Sequence, residues 1–255
     1  MIDCLTNTEM TMKEKKTLPR PTVELLNQFD QLYDKLGDTQ LSDNAHDEVM
    51  WQLNDLIDAY DWTNYEFIDP ATGLRGVKNP VGQILVPAEY DFFNFMGDHC
   101  TFRLSHMAAE KDGKSGIVAA DGTGRVICDF HFDYLIWDPF MHLYKGFWDG
   151  DKEKFGLVAP DGEVLVPNIL TKGYLPWNSF VCLEADGKFG AFDIGTRLFV
   201  LPEYDAIASE PEENVLFVKD GVEGYVIEDT GEFVPKDQFE TDDKYADAYV
   251  FTSGY

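Results

Sequence analysis

Cys128-Asp-Phe-His131 places a thiol and an imidazole three residues apart, and His99-Cys100 offers the same two groups again. Four such ligands can make a tetrahedral zinc site. Residues three apart on an extended strand project from opposite faces, so zinc here demands a bend. A buried thiol and a partly exposed histidine are the preferred reading. "WDGDKEK" at 148–154 gathers Asp149, Asp151 and Glu153, oxygen ligands of the kind calcium takes. The full spacing of a calcium loop is missing, and the segment has the composition of a solvated turn. No metal or cofactor is expected. The motifs GxxxxGK[ST], GxSxG, HExxH and paired CxxC are all absent from the sequence. With 47 acids available, a carboxylate pair for glycoside hydrolysis can be found at any geometry, so such a pair has no diagnostic value. The expectation is a non-enzymatic protein with no catalytic residues.

Aromatic side chains offer a different chemistry. "DYLIWDPFMHLYKGFW" (133–148) and "GYLPWNSF" (173–180) concentrate Trp137, Phe140, Tyr144, Phe147, Trp148, Tyr174 and Trp177. Exposed rings give a peptide or sugar much contact area at low entropic cost. Most of these rings are expected in the core between neighbouring units. A ligand-facing subset is assigned to Trp137, Phe140, Tyr144, Trp148 and Trp177.

The elements that must carry these residues divide the chain by period. Residues 1–18 are polar and patternless, read as a flexible tail. In residues 19–62 the period is helical: Val23, Leu25, Leu26, Phe29, Leu32, Tyr33 and Leu36 form one stripe. Ala45, Val49, Leu53, Leu56, Ile57 and Tyr60 form a second, across a short polar break. Thr22 caps the first helix and Gly37 closes it. The spacing predicts an antiparallel helical hairpin that needs an apolar cover.

From 63 to 255 short apolar runs alternate with Gly, Asp and Pro. Asp-Gly recurs at residues 112, 121, 149, 161, 186 and 220, the dipeptide favoured in two-residue hairpin turns. Aligned, five segments share an anchor glycine at Gly76, Gly116, Gly156, Gly190 and Gly224, at steps of 40, 40, 34 and 34. A glycine inside a strand weakens it, so its recurrence implies that a backbone or ring comes too close for a Cβ. Each unit is read as three strands: one through the anchor glycine, one after the turn that Val-Pro ends, and a third such as "FVCLEADG" (180–187). The Tyr of "PAEYD" (87–91) and "PEYD" (202–205) is expected to fold back onto the core.

"KFGLVAPDGEVLVP" (154–167) and "KFGAFDIGTRLFVLPEYD" (188–205) resemble WG repeats, bacterial β-repeats of the form Lys-Trp-Gly, strand, Gly, Val-Val-Pro, Tyr-Asp. Here Phe155 and Phe189 stand in place of Trp, and Arg75, Ser115 and Glu223 depart further. The resemblance covers about residues 65–255 and implies a binding or scaffold module with no catalytic residues. The expected fold is mainly β, an array of about five antiparallel three-stranded repeats, open like a solenoid or closed like a propeller, behind the helical hairpin.

A formal charge of −27 excludes nucleic acid and anionic membrane surfaces as natural partners. From Glu203 to Asp247, fifteen acids face Lys219, Lys236 and Lys244, a net of −12. The partner expected is a protein, basic where charge selects it. The alternatives are a carbohydrate-binding or glycan-processing protein using the loop aromatics, an acidic inhibitor of the immunity type, and a structural spacer. No run of about 18 apolar residues is present and the N-terminus lacks an apolar core, so neither a membrane span nor a secretory signal is expected. Scattered cysteines indicate a reducing compartment, read as the cytoplasm.

Overall fold

Thr22 and Ser42 start the two long helices. Thr22 Oγ1 accepts the Leu25 N–H at 3.3 Å, and Ser42 Oγ accepts the Ala45 N–H at 3.4 Å. The computed structural model describes residues 18–36, 42–94, 104–139, 141–177, 180–208, 214–245 and 247–251, with backbone alone at 43, 173–177 and 243. Gly37 lies outside the described residues. Helices α1 (Val23–Leu36) and α2 (Asp43–Ala59) bury Leu26, Phe29 and Leu32 against Val49, Leu53 and Leu56. The buried stripe is narrower than the sequence pattern, since Val23 and Tyr33 stay exposed. Trp62 supplies the cover. It is fully buried, lies 4.6 Å from the Phe29 ring, and donates its indole N–H to Leu56 O at 2.8 Å. That bond satisfies a carbonyl in the last turns of α2, which has no partner within the helix. Arg20 ties the entry of α1 to the first strand, 3.3 Å from Asp61 and 4.6 Å over the Tyr65 ring.

The rest of the fold is mainly β, in five small antiparallel sheets. β1 (Tyr65–Ile68), β2 (Arg75–Lys78) and β3 (Ile84–Tyr90) form the first. The second comprises β4 (Phe92–Asn94), β5 (His106–Lys111), β6 (Lys114–Ala119) and β7 (Val126–Phe132). The third holds β8 (Tyr134–Asp138), β9 (Leu143–Phe147), β10 (Phe155–Val158) and β11 (Val164–Leu170). In the fourth are β12 (Lys172–Trp177), β13 (Phe180–Ala185), β14 (Lys188–Asp193) and β15 (Phe199–Tyr204). β16 (Ala206–Ala208), β17 (Leu216–Lys219), β18 (Val222–Val226) and β19 (Phe233–Pro235) complete the fifth. Strands pair in chain order throughout.

The three-stranded unit read from the sequence is corrected. Four sheets have four strands, and each sheet boundary falls inside a sequence repeat. The chain leaves one sheet for the next at a single residue, Asp91, Asp133, Thr171 or Asp205. At these corners Asp91 and Asp205 accept the N–H of Asp112 and Asp220 at 2.8 Å, and Asp133 accepts that of Gly150 at 2.8 Å. Each aspartate thereby ties the corner to the next hairpin. Lys114 pairs with Asp133 at 2.5 Å, and Lys188 pairs with Asp205. Where Thr171 replaces the aspartate, Lys154 turns to Asp186 instead, at 3.1 Å. The tyrosines before the corners are buried as expected, Tyr90 and Tyr204 at 2% exposure each.

Three of the anchor glycines sit opposite bulges, whereas Gly224 pairs in register with Pro235. Phe155 faces Leu170 and Leu157 faces Val166, so 167–169 arch over Gly156 alone. The same holds at Gly190 and Gly116, where 201–203 and 129–131 arch over. A Cβ on Gly156 would collide with Val166 O and the Trp148 ring; one on Gly190 would meet Val200 O. At Gly76, Gly116 and Gly224 the carbonyls of Val86, Cys128 and Val234 close in likewise, with Phe67, Phe130 and Phe233 alongside. Val-Pro does not end the second strand except at Pro235. Pro87, Pro167 and Pro202 lie within β3, β11 and β15, which are edge strands, where proline and bulges blunt pairing with other chains. The six Asp-Gly steps also differ. At 112, 186 and 220 both residues have positive φ and form two-residue hairpin turns; at 149 both are positive as well, but the connection from β9 to β10 is the longer 148–154, and at 121 and 161 only the glycine is positive.

The chain divides into two compact units, one with the helices and the first sheet up to Ala88, the other with Glu89–Phe95 and the chain from Ser105 onward. The division expected after residue 62 therefore falls inside the first unit, where Val81, just before β3, packs on the helical core. Within the second unit neighbouring sheets share cores. Leu157 and Val166 meet Val181 and Leu183 in one cluster, and Phe180 and Tyr204 meet Phe217 and Phe251 in another.

Candidate functional site

Antiparallel pairing places Trp137 directly opposite Tyr144 on β8 and β9. Both rings turn inward, at 5% and 0% exposure, with centroids 5.0 Å apart. His106 of β5 completes this cluster, its ring 4.8 Å from Trp137 and its Nδ1 2.7 Å from Tyr144 Oη. Burial holds the His106 imidazole down at about 4 and pushes the Tyr144 phenol up. Both are neutral at pH 7, sharing one hydrogen bond in an apolar wall. The assignment of Trp137 and Tyr144 to a ligand face is thus corrected: they join adjacent sheets. Trp148 is half-buried and fills the space left by the missing side chain of Gly156. Phe140 and the side chain of Trp177 lie outside the described residues.

The opposite face of β8 and β9 does reach solvent. Tyr134 and Phe147 are cross-strand partners with centroids 6.3 Å apart. With Ile136, Asp133 and Lys152 they line a cleft of about 380 Å³. The alternation of β8 is the signal for this: Leu135 and Trp137 take the buried parity, which leaves Tyr134 and Ile136 on the other.

A second concavity closes the C-terminal end. After β19 the chain forms α3 (Lys236–Thr241) and a short 3₁₀ turn (Asp243–Tyr245). Phe239 packs between Tyr225 and Tyr245, at 4.8 and 5.9 Å. The last described residues then run back along the fifth sheet. Val250 bridges Ile227, Glu228 N–H donates to Tyr249 O at 2.9 Å, and Val215 N–H donates to Phe251 O at 2.7 Å. This pairing holds Val250 and Phe251 inward and turns Tyr249 outward, 74% exposed. Phe239, Glu240, Tyr245, Ala248 and Tyr249 line a groove of about 410 Å³.

Acids outnumber cations near the groove, where Lys236 and Lys244 are also present. Asp237, Glu240 and Asp242 are exposed beside it. Burial, then the neighbouring Asp193 and Asp229, raise the Glu228 carboxyl above the usual range. Lys244 lies 4.7 Å over the Tyr245 ring, donates to its hydroxyl at 3.1 Å and is 3.9 Å from Glu232. The phenol bond and then Glu232 raise its ammonium pKa. A lysine held at a tyrosine hydroxyl beside a carboxylate is therefore already built here once. Sequence reasoning found the acids of this segment but missed Phe239, at the end of the fifth repeat segment, and Tyr249, which stands outside the repeat pattern.

Among the described residues, no group of three or more His, Cys, Asp or Glu could hold a metal ion. Cys128 is half-buried, and burial, then Asp129 and Asp161, push its thiol up. His131 is exposed, with Nδ1 2.9 Å from Asp129 O, and His99 and Cys100 lie outside the described residues. Asp151 Oδ1 accepts the N–H groups of Glu153 and Lys154 at 2.8 and 3.1 Å, and these bonds hold its carboxyl low. Its carboxylate organises a turn. None of the described helices is long and apolar enough to cross a membrane. No family model, curated protein or solved structure matches this chain.

Proposed function

We propose that this chain is a non-catalytic, cytoplasmic interaction module of WG-like β repeats that binds a basic protein through its acidic C-terminal end. The observation that carries the reading is the groove beside Tyr249, where solvent-facing aromatic surface coincides with the acidic stretch from Glu203 to Asp247, net −12. Acidic potential steers a basic partner to the face, and the rings supply the desolvated anchor. Lys244 at the Tyr245 hydroxyl, beside Glu232, is the internal precedent for a lysine held there. An acidic inhibitor that masks a basic effector is one form this activity can take.

The test is titration of the full chain with hepta-lysine amide, followed by NMR. Shifts should centre on Tyr249, Phe239 and Tyr245, and Tyr249→Ser should weaken binding about fivefold while rising salt reduces what remains. Uniform weak shifts over every acid, unchanged in Tyr249→Ser, would count against the groove. A second reading, carbohydrate binding, is favoured by the Tyr134–Phe147 cleft. A glycan array hit lost in Tyr134→Ala, with no response to hepta-lysine, would replace the first reading with the second.

A further inference from the structure

Helix α2 carries a tryptophan that the fold does not use. Its buried face is Val49, Leu53 and Leu56, covered by α1 and Trp62. Trp51 points the other way and is 73% exposed, whereas Trp62 is wholly buried with its N–H satisfied. Among the described residues no ring or cation packs on Trp51.

Its neighbours on the helix surface are carboxylates. Asp47 and Glu48 stand four and three residues before it, Asp55 four after and Asp58 seven after, all exposed. Residues at these spacings share one face, with Cβ atoms about 5–6 Å apart for the nearer ones. A helical side chain leans toward the N-terminus, so the indole covers the turn that holds Asp47 and Glu48. The helix contains no lysine or arginine, and among the described residues no cation pairs with these four acids.

Folding physics does not ask for this arrangement. Asp55 and Asp58 fall in the last turns of α2, where the helix dipole favours cations, and they repel each other at a spacing of three. An exposed indole stabilises nothing in the free chain. Planar indole ringed by carboxylates is instead complementary to a guanidinium, which stacks on the ring while its N–H fork reaches carboxylate oxygens. We propose that the solvent face of α2, centred on Trp51, docks an arginine-bearing segment of a partner protein. The site uses residues of the first compact unit only and does not depend on the C-terminal groove.

Tetra-arginine amide titrated into the full chain tests this, with the Trp51 indole N–H followed by NMR and assigned through Trp51→Phe. The Trp51 signal should move more than that of Trp62, and Trp51→Leu should weaken binding at this face about tenfold with an unchanged amide spectrum. Asp47→Asn combined with Asp55→Asn should weaken it too and flatten its salt dependence. Tetra-citrulline should not bind, and Tyr249→Ser should leave the Trp51 response intact even where the groove reading fails. A stationary Trp51 signal, or equal affinity in Trp51→Leu, overturns the proposal. Equal binding of tetra-lysine overturns the assignment to arginine. Protection of Trp51 from acrylamide quenching in the free chain also overturns it, giving the face to the chain's own Lys13, Lys15 and Lys16.

Discussion

The segment 133–148 and helix α2 treat tryptophan in opposite ways. In the first, aromatic residues are dense, and Trp137 and Tyr144 are drawn into the wall between two sheets. In the second, Trp51 is the lone aromatic residue and stands in water among acids. In that segment the rings of one strand parity mark where sheets meet, while Tyr134 and Phe147 stay on the solvent side. Isolation among charges marks surface that packing has not claimed.

The comparison breaks if Trp137 and Trp51 respond alike. Trp137→Ala should cost about 4 kcal/mol of unfolding free energy, the range for emptying a large buried side chain. Trp51→Ala should change it by less than about 0.5 kcal/mol. Urea unfolding of the two variants is the measurement, and comparable losses would show that the exposed ring also has a packing role.

Acid sharpens the same contrast through His106. Its folded pKa of about 4 lies below the ordinary value of about 6.5 in the unfolded chain. Between these values the unfolded state binds more protons, so stability falls as pH drops through that window and is flat for this group above it. The full effect approaches about 3 kcal/mol below pH 4. His106→Gln should remove this slope, read from urea midpoints taken across that window. A parallel pH dependence in both proteins would mean that the imidazole is hydrated.

The smallest expected effect separates two kinds of glycine. Gly156→Ala should cost about 2–3 kcal/mol, because the new Cβ meets the bulged strand and the Trp148 ring. Gly187→Ala has open space around it and only a positive φ of 82° to contend with, which costs about 1 kcal/mol. Thermal unfolding of both variants checks the order, and a reversal would place the strain in the turns.

The anchor glycines were legible because one steric demand recurs at one place in every unit. Helix α1 was legible from its stripe, although Val23 and Tyr33 overstate its width. The sheet boundaries were not. Each is a single residue with no adjacent Gly or Pro to announce it, and the role of Asp133, for one, depends on an N–H from a hairpin seventeen residues away. Burial of Trp137 was equally hidden, since it depends on His106 in another sheet. Trp51 did fall outside the predicted stripe of α2, but periodicity says only that such a residue is not core. It does not say what the residue is for.

The offset between repeat and sheet has a consequence for how such a chain can change length. Every glycine-to-glycine segment donates its first two strands to one sheet and its last two to the next, so no sheet is encoded by one contiguous repeat. Removing residues 156–189 would join Phe155 to Gly190 and leave β8 and β9 completed by β14 and β15, with the same bulge and the same corner at Asp205. The exchangeable part is thus a clasp between two sheets, and its seam is the anchor glycine. Gain or loss of whole clasps alters the number of sheets without creating a new kind of turn.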